Sequence, residues 1–273
     1  MTNWTTARCE TNGITLHYTR TGGNKPPVML LHGLMTNGLC WTELARALED
    51  DYDVIMPDAR GHGQSSVPDD GYCYEDHAND ITGLIQALRL PAPWLLGHSM
   101  GGMTAAVVAS RKPVLLRGLV LADPTFLSPE VQREVHASGV ADQHRQLLTK
   151  SLAEVLAEAR GRHPDRPAET LELFARSRLQ TSLRAFGVLT PPNPDYRQLV
   201  QAIDVPSLLV IGDKGVVSTR VANELHRLNP ALQVAQIQQA GHALQVDQPA
   251  RFAAVVKGFL QAIETGAYLP SVA

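Results

Sequence analysis

A serine at position 99 stands in the stretch GHSMG, residues 97–101, with a glycine two residues away on each side. The apolar run PWLL precedes the stretch and the small-residue run MTAAVVAS follows it, so a buried strand is predicted to end, and a helix to begin, at Ser99. A sharp strand-to-helix turn exposes a serine hydroxyl at the end of a sheet, and the glycines avoid collisions within the turn. The pattern therefore predicts a nucleophilic serine, with an inert serine in a glycine-rich turn as the alternative.

A serine hydroxyl is a weak nucleophile near neutral pH and needs a base close to it. Of the ten histidines, His242 stands in the stretch QQAGHALQVDQP, after the last predicted strand and in a loop that a glycine precedes. Reactive groups often lie on such loops at the end of a sheet, so His242 is the predicted general base, with a surface-loop histidine as the alternative. His98 adjoins the serine, but the tight turn should keep its ring from pointing at the hydroxyl.

Attack by a serine on a carbonyl group places negative charge on the carbonyl oxygen, which main-chain N–H groups can stabilise. The N–H group of Met100, at the start of the predicted helix, is expected to be one donor. The loop HGLMTNG follows another buried strand, and the N–H group of Leu34 is the predicted second donor. An ordinary turn that uses Gly33 alone is the alternative for this loop.

Short apolar runs that end in glycine, aspartate or histidine alternate with segments of helical period along the chain. Runs such as PPVMLLHG and RGLVLADP are typical of strands buried on both faces, whereas YEDHANDITGLIQALRL has apolar residues spaced as on one helix face. The stretch GITLHYTRTG alternates polar and apolar residues and is predicted to be an early edge strand. The alternation predicts an α/β fold with a mostly parallel sheet covered by helices on both faces.

The stretch between LVLADP and VPSLLVIGD carries no strand signal and is helical and mixed in polarity. We therefore predict a core formed by residues 1–125 and 200–273, and a helical cap formed by residues 126–199. Leucines recur in the cap at helical spacings that are more typical of the cap's own packing than of a ligand-binding wall. Phe126, at the start of the cap, and His32, at the end of a strand, are the predicted substrate-binding residues.

The composition is that of an ordinary globular chain, with 273 residues, 44% of them hydrophobic, and a formal net charge of −3. No basic patch stands out, so nucleic acid is not an expected partner. The longest apolar runs are far shorter than the ~20 residues of a membrane-spanning helix, and the N-terminus lacks a signal-peptide pattern. Three widely spaced cysteines predict reduced thiols rather than disulfides or a zinc site. We expect a cytoplasmic protein without metal or cofactor that acts on a small molecule; its oligomeric state is not predicted.

The chain resembles the α/β-hydrolase fold family from about residue 13 to residue 263. The resemblance is carried by four motifs in the family's order: HGLMTNG at 32–38, DARGHGQS at 58–65, GHSMGG at 97–102 and AGH at 240–242. It implies that Ser99 is the nucleophile and His242 the base, with a catalytic acid between them in the chain. It also implies that Asp58 and Arg60, in the second motif, are structural rather than catalytic.

The catalytic acid is the part of this resemblance that the chain does not follow. In the family the acid usually stands three residues past a glycine after the next-to-last core strand, a position that Gly215 occupies here. Asp213 lies in the same loop, one residue past Gly212. Some family members carry the acid after the preceding strand instead, where this chain has Asp123. We therefore predict Asp123 as the acid, with Asp213 as the alternative; proximity to the histidine must decide.

These groups predict a serine hydrolase that cleaves a carboxylic ester or lactone through an acyl-enzyme intermediate. Amide and carbon–carbon bond hydrolysis use the same groups and stay open, whereas a dehalogenase would need aspartate at position 99. The whole chain also resembles the serine esterases that inactivate macrolide antibiotics by opening the lactone ring, which would imply a large cyclic lactone as substrate and a role in resistance. A ligand-binding receptor with slow or no turnover is the alternative outside the enzymes; nothing points to a cofactor-free oxygenase.

Overall fold

The computed structural model describes residues 4–112 and 114–266 of the chain. Eight strands form one sheet in the order β1-β2-β4-β3-β5-β6-β7-β8. The pairs β1–β2 and β2–β4 are antiparallel and all the others are parallel. The strands are β1 (Thr5–Thr11), β2 (Ile14–Arg20), β3 (Pro27–Leu31), β4 (Asp53–Pro57), β5 (Trp94–His98), β6 (Gly118–Ala122), β7 (Ser207–Lys214) and β8 (Leu232–Gly241).

Helices connect the parallel strands and cover both faces of the sheet. The helices are α1 (Thr42–Leu48), α2 (Tyr74–Ala87), α3 (Met100–Arg111), α4 (Pro129–Ala137), α5 (Val140–Leu147), α6 (Leu152–Arg162), α7 (Ala168–Leu179), α8 (Tyr196–Ala202), α9 (Thr219–Leu228), α10 (Leu244–Asp247) and α11 (Pro249–Thr265). Two short 3-10 helices, at Gly38–Trp41 and Leu183–Leu189, lie between them. The predicted α/β-hydrolase architecture, a mostly parallel sheet between helices, is confirmed.

The sequence forms this sheet because alternate residues of each central strand pack into different cores. In β3, Met29 and Leu31 join the core that α2 and α3 cover, whereas Val28 and Leu30 join the core beneath α1 and α11. All five residues of β3 and of β5 are buried. A continuous apolar run is therefore needed in each strand, which is why these runs predict strands buried on both faces.

The stretch GITLHYTRTG forms β2, but β2 is not an edge strand as predicted. β1 pairs with it antiparallel from Thr5–Arg20 to Thr11–Ile14 and takes the edge position. β1 is mostly exposed, so it has no alternation of buried and exposed residues that would mark it as a strand in the sequence. The pattern in β2 reflects its burial next to β4, not a position at the edge of the sheet.

Five helices and a 3-10 helix lie between β6 and β7, in the segment that the sequence predicts to be a helical insertion. The side chains of Ser128 and Ser151 accept hydrogen bonds from the first turns of α4 and α6, which fixes where those two helices begin. Helix α8 spans the predicted boundary at residue 200 and packs against α3 and α9, so packing against the core begins before that boundary. No helix within residues 4–112 and 114–266 is long and apolar enough to span a membrane.

Candidate active site

Ser99 lies in the turn between β5 and α3. Its backbone angles, φ 55° and ψ −120°, are ones that residues other than glycine rarely adopt. Its N–H group donates to the carbonyl of Ala122, 3.2 Å away, at the end of the neighbouring strand. A Cβ atom on Gly101 would lie 2.6 Å from the carbonyl oxygen of His32, and a Cβ atom on Gly97 would collide with the carbonyl oxygen of Gly101. Glycine is therefore required at both positions for the strand and the helix to approach each other this closely.

Ser99, His242 and Asp123 form one chain of hydrogen bonds at the carboxyl end of the sheet. The Nε2 atom of His242 lies 2.9 Å from Oγ of Ser99, and its Nδ1 atom lies 2.6 Å from Oδ2 of Asp123. Because a carboxylate only accepts, Nδ1 carries the ring proton and Nε2 is free to accept the serine proton. The arrangement is that of a hydroxyl, a base and an acid that holds the base in one tautomer.

The carboxylate of Asp123 is fully buried, and main-chain donors hold it in place. Its two oxygens accept from the N–H groups of Val216 at 2.8 Å and Val217 at 2.9 Å. Asp213 lies elsewhere: its side chain is exposed and accepts from the N–H group of Ala240 at 2.9 Å. Main-chain N–H donors lower the pKa of Asp213, as expected for a carboxylate that caps a strand end. Asp123, and not Asp213, therefore forms the hydrogen bond with His242.

His98 contacts the candidate base, a contact that the sequence analysis did not predict. Its Nε2 atom donates to the main-chain carbonyl of His242 at 2.7 Å, and the two rings lie 4.7 Å apart. Burial, and then the positive charge that His242 can carry, lower the pKa of His98 to about 3. The ring is therefore a neutral donor near neutral pH. It does not point at the serine, as predicted, but it holds the loop that carries the base.

The loop after β3 lies directly against the nucleophile. A Cβ atom on Gly33 would be 3.1 Å from the Cβ atom of Ser99, so the main chain of Leu34 follows beside the serine. The N–H groups of Leu34 and Met100 donate to no acceptor in the described parts of the chain. Two donors next to one hydroxyl suit an oxygen that becomes negatively charged during attack on a carbonyl group.

Asp58 and Arg60 hold the loops around the site and do not contact the serine or histidine. Asp58 accepts from the N–H groups of Gly38 at 2.8 Å and Gln64 at 2.9 Å, which joins the loop after β3 to the loop after β4. Burial alone would raise the pKa of Asp58, but these donors and His17 lower it. Arg60 pairs with buried Asp80 at 2.5 Å. Both contacts agree with the structural roles that the family resemblance implies.

The two predicted substrate-binding residues have protein partners in this structure. His32 uses both ring nitrogens: Nδ1 lies 2.8 Å from the carbonyl of Gly33, and Nε2 accepts from the N–H group of Ala59 at 2.9 Å. Its ring therefore joins two loops through both nitrogens. A role of His32 in substrate binding stays a prediction from the sequence. Phe126 is buried and stacks on Tyr196, with ring centroids 5.0 Å apart. Its main contact is thus with helix α8.

The described residues contain no cluster of three or more histidine, cysteine, aspartate or glutamate side chains that could hold a metal ion. Three further rings, His32, His62 and His77, are buried near the site, and burial lowers the pKa of each. The Nε2 atoms of His62 and His77 have no hydrogen-bond partner in the described structure. These rings are neutral packing groups near neutral pH.

The chain belongs to the alpha/beta hydrolase fold family, whose model matches residues 26–249, and it is a hydrolase. It is 30% identical to the 2-(acetamidomethylene)succinate hydrolase of Mesorhizobium japonicum over 93% of this chain and 95% of that one. It is also 30% identical to the N-formylmaleamate deformylase of Pseudomonas putida, over 91% and 94% of the two chains. A crystal structure of E-2-(acetamidomethylene)succinate hydrolase superposes with a TM-score of 0.82 at 26% identity, over 95% of this chain and all of that one.

Proposed function

We propose that the chain hydrolyses a small carboxylic ester or lactone through an acyl-enzyme intermediate on Ser99. The observation that carries the proposal is the hydrogen-bonded chain from Ser99 through His242 to Asp123, with distances of 2.9 Å and 2.6 Å. These distances already lie within the range that proton transfer between a nucleophile and its base requires.

In this mechanism Oγ of Ser99 attacks the carbonyl carbon while Nε2 of His242 takes the hydroxyl proton. The imidazolium that forms is stabilised by the buried carboxylate of Asp123, 2.6 Å from Nδ1. The imidazolium then gives its proton to the leaving oxygen, the bond to that oxygen breaks, and the acyl group stays on Ser99. A water molecule, deprotonated by the same nitrogen, releases the acid and restores the serine.

The negative oxygen of the tetrahedral intermediate binds between the N–H groups of Leu34 and Met100. Met100 begins the 12-residue helix α3, so the positive end of the helix dipole also faces this oxygen. Because both donors are main-chain groups in fixed loops, they need no rearrangement when charge develops.

An acyl bond to nitrogen is the second candidate, because the names of both relatives describe such compounds. One relative hydrolyses 2-(acetamidomethylene)succinate and the other deformylates N-formylmaleamate. The same serine, base and donors would act on an amide, with nitrogen in place of oxygen as the protonated leaving group. Carbon–carbon bond hydrolysis and the opening of a macrolide ring stay predictions from the sequence.

The test combines active-site labelling with a substrate panel. Purified chain is treated with a fluorophosphonate and assayed with p-nitrophenyl esters, simple lactones, N-formyl and N-acetyl amides, and macrolides. We expect covalent labelling at Ser99 and loss of both labelling and hydrolysis in Ser99→Ala. Ser110→Ala is the matched control, because Ser110 lies on the same helix, away from the candidate base, and its hydroxyl donates to the carbonyl of Val107.

Two results would contradict the proposal. Hydrolysis that survives in Ser99→Ala would remove the serine mechanism. Absence of labelling together with tight binding of a small molecule would favour the receptor alternative. The relative rates of hydrolysis of the esters, lactones, amides and macrolides would show which substrate class the chain prefers.

A further inference from the structure

A cavity of about 60 Å³ with a strongly basic lining lies between helices α6 and α7. Val155 and Leu171 supply part of its apolar wall, and Arg162, Arg166 and Arg178 also line it. Arg178 is half-buried and lies in the last turn of α7. The cavity thus combines apolar walls with three guanidinium groups, the composition of a site for a small anion.

The described residues neutralise only part of the positive charge of this cavity. Burial, and then the neighbouring Arg162 and Arg166, lower the pKa of Arg178, and Cys40 acts in the opposite direction. Arg166 pairs with Asp247 at 2.8 Å, but within residues 4–112 and 114–266 neither Arg162 nor Arg178 has a carboxylate within 4.0 Å. One carboxylate therefore faces three guanidinium groups.

The acidic side chains of the two helices bind elsewhere, which keeps the cavity basic. The four glutamates of α6 and α7 have these partners: Ser151 for Glu154, Lys150 for Glu158, Arg46 for Glu169 and Arg176 for Glu172. Like charges that gather in a partly buried cavity repel each other and lose hydration, so this arrangement is unfavourable without a ligand. An anion that fits the cavity would remove that penalty.

Contacts tie the cavity to the two loops of the candidate active site. Next to Arg178, the hydroxyl of Ser177 lies 3.0 Å from the carbonyl oxygen of Phe174 and 3.3 Å from that of Met35, in the loop that carries Leu34. On the other side, Asp247, the partner of Arg166, accepts from the N–H group of Gly241, the residue before His242. These contacts link the helices around the cavity to the loop that carries Leu34 and to the residue before His242.

We propose that this cavity binds a carboxylate of the substrate, with Arg178 as the principal contact, so that preferred substrates are acids that carry a negative charge away from the bond that is cleaved. The planar guanidinium fork matches a carboxylate in a bidentate arrangement. The inference rests on the proposed acyl hydrolysis and adds the class of the substrate to it. Arg178 is a binding residue in this proposal and takes no part in proton transfer.

The kinetic test compares two esters that share a leaving group, p-nitrophenyl acetate and mono-p-nitrophenyl succinate. In Arg178→Gln, the ratio of kcat/KM for the anionic ester to that for the neutral ester should fall by about 10- to 100-fold, the effect of losing a hydrogen bond to a charged group. In Arg178→Lys, which keeps the charge but loses the fork, the ratio should fall less. Arg176→Gln is the matched control, because Arg176 is exposed on the same helix and pairs with Glu172; its ratio should stay within about twofold of the wild-type value.

A binding test in Ser99→Ala does not depend on turnover. Succinate should raise the thermal midpoint of this variant, and adding Arg178→Gln should abolish that shift. Inorganic phosphate is the competing anion: stabilisation by phosphate and not by succinate would overturn the carboxylate assignment. Succinate should also inhibit hydrolysis of the neutral ester competitively; stabilisation without competition would overturn the role in substrate binding and leave a separate anion site.

These outcomes separate this inference from the proposed function. An unchanged ratio in Arg178→Gln, with activity that still depends on Ser99, contradicts the anionic substrate alone. Activity that persists in Ser99→Ala contradicts the serine mechanism, whatever the ratio.

Discussion

A Cβ atom on Gly215 would lie 2.6 Å from Oδ1 of Asp123. Gly215 is the position at which the family resemblance implies a catalytic acid, so the carboxylate that this chain carries on β6 occupies the space beside the usual acid position. A side chain at residue 215 and the carboxylate of Asp123 cannot both fit without a shift. The glycine and the relocated acid are therefore two parts of one arrangement.

The first prediction separates the two candidate acids. In Asp123→Ala the imidazole loses its orienting partner, and kcat should fall by about 10⁴-fold. In Asp213→Ala only a main-chain hydrogen bond at Ala240 is lost, so kcat should fall by about tenfold or less. Steady-state kinetics with the best ester of the panel measures both. The opposite order of effects would show that the contact between Asp123 and His242 does not drive the reaction.

The second prediction is that a carboxylate at position 215 can replace the catalytic carboxylate of Asp123. In the double variant Asp123→Gly/Gly215→Asp, the new carboxylate starts from a Cβ position that already points at the vacated space. Its kcat should exceed that of Asp123→Gly alone by at least about tenfold, a part of the contribution that the acid makes. Gly215→Ala in the wild-type background is the companion variant and should lower kcat, because its Cβ atom displaces Asp123. Equal activity of the single and double variants would contradict this interpretation.

The third prediction concerns His98 as a positioning residue. Its 2.7 Å hydrogen bond to the carbonyl of His242 should be worth about 1 kcal/mol. His98→Leu should therefore lower kcat by about fivefold with little change in KM, whereas His98→Gln, which keeps an N–H donor, should recover part of the loss. The rate of fluorophosphonate labelling should fall in the same proportion. A loss of thermal stability with unchanged kcat would show that His98 contributes to packing and does not position the base.

The fourth prediction addresses the buried ion pair between Arg60 and Asp80. Both side chains are almost fully buried and lie 2.5 Å apart. Arg60→Met leaves the carboxylate buried without an opposite charge, although the amide of Asn12 still donates to it at 2.9 Å, and should lower the free energy of unfolding by about 3–5 kcal/mol. Arg60→Met/Asp80→Leu removes both charges and should regain most of that loss. Chemical denaturation measures each variant; a double variant as unstable as the single one would mean that lost packing, not the unpaired charge, is responsible.

The fifth prediction is an acid-dependent loss of stability from buried neutral histidines. Burial lowers the pKa of His77 to about 3, whereas a histidine in the unfolded chain protonates near pH 6.5. Between these values the unfolded chain binds the extra proton, so the free energy of unfolding falls as the pH falls, by about 1.4 kcal/mol per pH unit for each such ring. His77→Leu should reduce this slope by that amount between pH 6 and pH 4.5.

The control for this measurement is His136→Leu, because His136 is exposed on helix α4. Denaturant titrations at several pH values give the slope for the wild-type chain and both variants. An identical slope in His77→Leu and the wild-type chain would mean that His77 is protonated in the folded chain.

The nucleophile and the base could be predicted from sequence because their signals are local. Ser99 needs glycines at fixed positions in a tight turn, and His242 follows the last strand at the same end of a parallel sheet. The choice of acid depends on side-chain direction instead. Asp123 directly follows β6 and Asp213 lies near the end of the neighbouring strand β7. Only the folded chain shows that Asp213 turns to the N–H group of Ala240 while Asp123 turns to the imidazole.

The basic cavity could not be predicted, because it depends on how two helices pair. Arg162 and Arg178 are sixteen positions apart and meet only because α6 and α7 pack against each other. An arginine on a helix is most often a solvated surface residue, and these arginines have no pattern that distinguishes them from exposed Arg176. The contact of His98 with the loop of His242 was missed for the same reason, since it joins residues far apart in the chain.

Asp123 follows the last residue of β6, where the chain leaves the sheet for the inserted helices, and the N–H group of Thr125 donates to the carbonyl of Ser99 at 3.2 Å. The first residues of the insertion are thus fastened to the acid on one side and to the nucleophile on the other. The segment that leads into the inserted helices is therefore also the segment that carries the acid, whereas an acid on β7 would lie outside it.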